Sequence, residues 1–180
     1  MNEEAKLREA AYFLERMRAE LSEPEHFKFN LSACLSAGRS VAQYALNEAS
    51  GRRRGRLWYD AFLKAHPVVK FLATERDTNI HHRPIEPSGH VDVYVTDIGR
   101  FNERVAVEKF DASGNLVEVT SSPEPSIEQL DDLLPDAQLA FTYQFDKWAG
   151  EEDVPTLCAS YLDALGTLVR SGQDSGFLTR

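Results

Sequence analysis

Over the first 22 residues, apolar side chains recur at alternating steps of three and four: Leu7, Ala10, Leu14, Met17 and Leu21. That rhythm is the seam of a helix packed on another helix, and it predicts a helix over 3–22 with Glu3, Glu4 and Lys6 off the seam. A second stripe predicts a helix over 24–49: Leu31, Leu35, Val41, Ala42 and Ala45, with Phe27, Phe29 and Tyr44 adding bulk and Ser50-Gly51 ending it. Gly38 within this stripe costs about 1 kcal/mol against alanine, which points to a neighbour that needs the space. A third helical segment begins near Gly55 and carries Leu57, Trp58, Ala61, Phe62 and Ala65, with Trp58 and Phe62 as core. Pro67 either kinks it or separates it from the next segment, where Val68, Val69 and Leu72 share a stripe and Pro84 stops the helix.

After Pro84 the period falls to two. Strands are predicted over 90–96, 104–110 and 116–120, with a turn at 111–115 and a fourth strand through Leu139, Phe141, Tyr143 and Phe145. A short acidic helix is expected near 126–134. The last helix opens with Asp153 as N-cap and Pro155 in its first turn. It repeats Leu157, Tyr161, Leu165 and Leu168, and Gly172 is the expected stop, with a loose tail from Ser171. The pattern is therefore α+β: four main helices with a small antiparallel sheet inserted before the last one. It reads as one domain over 1–180, with a bundle at about 1–83 and 150–174 and an insertion at about 88–147.

Composition places this pattern in an ordinary soluble class, with 42% apolar and 27% charged residues. No apolar run approaches the length that spans a bilayer, and the first residues are too polar to open a signal peptide. Cys34 and Cys158 fall among apolar helix positions, as small core residues of a reduced, cytoplasmic protein. A net charge of −9 argues against wholesale nucleic-acid binding, but the charge is uneven. Between Gly51 and Arg83 stand Arg52, Arg53, Arg54, Arg56, Lys64, Lys70, Arg76 and Arg83, opposed only by Asp60, Glu75 and Asp77. A local field of this kind is enough to attract phosphate.

Candidate chemistry gathers where the fourth segment ends, at Arg76-Asp77-Thr78-Asn79-Ile80-His81-His82. The scattered glycines make no phosphate-cradling loop. A metal site through His81, His82 and His90 with Asp77 or Asp92 is disfavoured, because adjacent histidines rarely reach one ion together and no Cys or carboxylate stands at a familiar spacing, so neither a metal nor a cofactor is expected. Phosphodiester cleavage without metal needs a proton carrier near neutral pH, which suits histidine, and a permanent forked cation, which suits arginine. On a continuous helix Arg76 and His81 stand roughly 140° apart at about 100° per residue, so they meet on one phosphate only if the helix unwinds or a second copy contributes.

Arg76-Asp77-Thr78-Asn79-Ile80-His81 resembles the Arg, polar residue, short gap, His motif of the HEPN superfamily. The resemblance implies an up-and-down four-helix bundle that dimerises so that two motifs face one cleft, and metal-independent endoribonuclease activity. It further implies Arg76 and His81 as the catalytic pair, with Arg76 holding phosphate and His81 moving protons. Asp77 takes the polar position, with His82 a second candidate histidine. Arg52, Arg53 and Arg54 are candidate RNA contacts from their charge. The expected partners are a second copy, RNA or a nucleotide, and a regulatory protein, with no membrane. The alternative is a non-catalytic homodimer that binds a nucleotide or a protein, with Tyr94, Phe110, Phe141 and Tyr143 of the insertion as contact surface.

Overall fold

The computed structural model describes residues 2–81, 84–94, 106–110, 116–121 and 138–179, with side chains over 2–79, 84–92 and 139–179. These residues form an α+β protein. Its five described helices are α1 (Asn2–Ala19), α2 (Pro24–Ser50), α3 (Gly55–Ala65), α4 (Pro67–His81) and α5 (Val154–Asp174). Its described strands are β1 (Ser88–Tyr94), β2 (Ala106–Phe110), β3 (Leu116–Ser121) and β4 (Gln138–Gln144). None of the described helices is long and apolar enough to cross a membrane.

Two compact units result, one of Met1–His90 with Phe141–Arg180 and one of Val91–Ala140. In the smaller, β2 and β3 pair antiparallel, Ala106 opposite Ser121, with an irregularity between Lys109 and Phe110. β1 pairs with β4, so the described strands make two two-stranded ladders where one sheet was expected. The expected turn at 111–115 and the acidic helix near 126–134 lie outside the described residues.

In the larger unit α2 is the hub, packed on α1, α3, α4 and α5. The predicted seams supply the core: Ala10, Leu14 and Met17 from α1, Leu31, Leu35 and Val41 from α2, and Leu157, Leu165 and Leu168 from α5 are buried. Gly38 has its reason in Tyr161, whose ring occupies the space that an added Cβ would need. Pro67 separates two helices: α3 ends at Ala65 with His66 as its C-cap, the His66 Nδ1 lying 3.0 Å from the Phe62 carbonyl, and α4 starts afresh.

Several expectations need correction. Glu3 is buried, because it continues the seam one step before Leu7. Phe29 and Tyr44 are exposed, since α2 buries a narrower stripe than its apolar content suggested. On α3 the buried face runs through Tyr59 and Phe62, leaving Leu57 outside and Trp58 half-buried. Gly172 is interior to α5 and gives Leu178 room, its added Cβ lying 2.6 Å from Leu178 Cδ1. The stop is Gly176 at φ 72°, where Phe177 N–H donates to the Gly172 carbonyl and Gly176 N–H to that of Gln173. The tail is therefore docked: Phe177 stacks on Trp58, Leu178 is buried, and Thr179 N–H donates to Glu48 Oε1 at 2.7 Å.

Cys34 of α2 and Cys158 of α5 are free and buried. A hydrogen bond with Cys34, reinforced by burial, pushes the Cys158 thiol well above its ordinary value, and burial pushes the Tyr161 phenol up as well. The folded protein thus keeps protons that the unfolded chain releases in alkali. This contribution to stability is full below about pH 8.5, where the unfolded thiol still holds its proton, and is lost as pH rises beyond that. Denaturant titrations at neutral and alkaline pH should show this fall. A water-soluble thiol reagent should label both cysteines only on unfolding.

Candidate functional site

The last two turns of α4 carry the polar motif, and aromatic and amide contacts hold them in place. Val69 and Leu72 anchor the helix in the core, while Phe71 packs edge-on to Phe145 and against Trp148. Farther along, Asn79 Nδ2 donates to Ser32 Oγ of α2 at 2.7 Å, and Asn79 Oδ1 accepts from Ile85 N–H at 2.9 Å. Asn79 thereby ties the segment that follows α4 back onto α2. Thr74 and Thr78 spend their hydroxyls on the carbonyls of Lys70 and Thr74, one turn earlier on the helix.

Between these anchors sits a charged trio. Arg76 Nη1 donates to Asp77 Oδ1 at 3.0 Å, and Arg39 Nε of α2 lies 4.0 Å from the same oxygen. Arg76 and Arg39 are 25% and 28% exposed, against 48% for Asp77, so two guanidinium groups flank one carboxylate at the edge of the fold. Arg76 Nε is buried with no partner among the described residues, so the accessible quarter of the side chain is carried by its other atoms. The trio has a net charge of +1. An ionised Asp77 only accepts hydrogen bonds, so towards a phosphate it acts by orienting the arginines.

Arg39 is missing from the residues that the sequence pattern singles out. Its signal is a quiet one: it is the one basic residue between Lys28 and Arg52, set beside Gly38 in an otherwise uncharged stretch from Phe29 to Asn47. α4 is continuous to His81, so positions 76 and 81 stand roughly 140° apart around its axis, at about 100° per residue. The His81 side chain, and His82 with Arg83, lie outside the described residues. Arg52, Arg53 and Arg54 are exposed in the turn after α2, and Arg54 adopts φ 69°. That turn lies beyond the end of α2, about 17 Å or more along the helix from Arg39, and is not part of the trio. His66, in the same basic stretch of the chain, stacks on Phe62 and caps α3.

Beside the end of α4 opens a groove of about 480 Å³, with Lys28, Phe29 and Ser32 of α2 on one wall and Asn79 and Ile85 on the other. No protein-family model, no curated protein and no solved structure matches this chain.

Proposed function

We propose that this chain is a metal-independent endoribonuclease of HEPN type, a four-helix bundle with appended strands that acts at the cleft of a homodimer. The observation that carries the reading is the shared carboxylate: Arg39 and Arg76, from different helices, converge on Asp77 one turn before the end of the helix that bears His81. Forked cations held in one place match the oxygens of a phosphodiester. In the reaction the RNA 2′-oxygen attacks phosphorus and loses its proton to a neutral imidazole. The bond to the 5′-oxygen breaks as that oxygen takes a proton from an imidazolium, leaving a cyclic phosphate and a free 5′-hydroxyl. Histidine suits both transfers near neutral pH. Because α4 is continuous, His81 reaches a phosphate held by Arg76 from the second subunit.

The test is cleavage of single-stranded RNA in excess chelator by the wild type and by His81→Ala. Wild-type cleavage that survives chelation, with a loss of about a hundredfold or more in the variant, supports the proposal. Equal cleavage by both chains overturns the role of His81. The second reading, a non-catalytic binding dimer, is favoured by Arg76 being three-quarters buried and already paired with Asp77. It predicts nucleotide binding that Arg76→Ala abolishes, with no cleavage by any chain.

Arg52, Arg53 and Arg54 serve in this reading as a remote landing strip for the RNA backbone. Replacing all three by alanine should flatten the dependence of log affinity on log salt by about 2, near 0.7 for each phosphate that is no longer neutralised. An unchanged slope would leave the turn as solvated surface.

A further inference from the structure

The groove beside α4 holds no part of the charged trio, yet its chemistry suits one occupant. Building on the ribonuclease reading, we infer that it seats a nucleobase of single-stranded RNA next to the scissile phosphate, stacked on Phe29, with Lys28 on the adjoining phosphate. Phe29 is a large aromatic left 62% exposed, and it stands on the wall of a groove whose opposite side includes buried Ile85. An aromatic face beside a lysine is the usual means of holding single-stranded nucleic acid without reading its sequence. Asn79 spends its carbonyl oxygen on Ile85 N–H and an amide proton on Ser32, whereas Ser32 accepts that proton and keeps its own O–H to offer a base edge. Glu25 also lines the groove, so its carboxylate repels a second phosphate and leaves a base as the better guest than the backbone. Arg76 precedes Asn79 by one turn, about 4.5 Å along α4, so a strand gripped at Arg76 carries its neighbouring nucleotide into the groove.

The experiment measures binding of the full chain to a fluorescent 2′-O-methyl single-stranded oligonucleotide, which cannot be cut through its blocked 2′-oxygen. Wild type is compared with Phe29→Ala, Phe29→Tyr and Arg76→Ala, on the normal strand and on one with abasic sites. Phe29→Ala should bind about 5- to 150-fold more weakly, the range expected for removing one base–aromatic stack, while Phe29→Tyr should bind as wild type does. On the abasic strand the gap between wild type and Phe29→Ala should close. Equal binding by Phe29→Ala on the normal strand, or a gap that persists on the abasic strand, overturns the base site. If that happens while cleavage still depends on His81, the base site falls alone. A stacking gap without cleavage removes only the catalytic reading, and no binding by wild type removes both.

Discussion

Mixing the Arg76→Ala and His81→Ala chains should restore RNA cleavage that neither has alone. In the proposed mechanism each variant by itself would lose about a hundredfold or more, Arg76→Ala as the cation proposed to steady the phosphate and His81→Ala as the proposed proton carrier. In the proposed dimer, with α4 helical to His81, a working site would take Arg76 from one subunit and His81 from its mate. A mixed dimer therefore keeps one site with both groups and has one with neither. A one-to-one mixture makes half of the dimers mixed, giving about a quarter of wild-type activity. If instead arginine and histidine act from the same chain, each mixed dimer has two half-built sites and mixing gains nothing. Subunit exchange is checked by tagging the two chains differently, so an absence of rescue in verified mixed dimers rejects the shared site.

Phe27→Ala should be the most damaging single truncation in the helical unit, losing about 3–5 kcal/mol. Phe27 is fully buried and stacks on Tyr143 of β4, ring centroids 3.7 Å apart. Tyr143 in turn donates its hydroxyl to the Leu21 carbonyl at 3.0 Å, so this one stack locks β4 onto the corner between α1 and α2. For a chain of this size the loss corresponds to a fall in melting temperature of roughly 6–20 °C. Phe29→Ala, two residues along the same helix, removes an exposed ring and should shift stability by no more than about 0.5 kcal/mol. Thermal unfolding of the pair separates these expectations. Equal midpoints would mean that the Phe27 stack does not anchor the strand.

Periodicity and local hydrogen bonding carried most of the helical architecture. The three–four rhythm of Leu7 to Leu21 and of Leu157 to Leu168 reports which face each helix buries, because a helix repeats its faces every few residues. Asp153 was readable as the cap of α5, and its Oδ1 accepts the Thr156 N–H at 2.8 Å, because that bond spans only three residues. Gly38 announced a close neighbour without naming it. Composition misled where side chains of one type divide between inside and outside, as Phe27 and Phe29 do two residues apart on one helix.

The candidate site followed the same division. The chain's own order set Arg76, Asp77 and His81 on one helix end and supplied the chemistry of cation and imidazole. Only the packing of α4 on α2 brought Arg39 to Asp77 and Asn79 to Ser32, a pairing across 47 residues. It alone opened the groove under Phe29, and only the closed fold docked the tail through Leu178 and Thr179. The physical reason is reach: caps and helix faces are decided by neighbours within a turn or two, whereas a site built from two helices exists only once the core between them has closed.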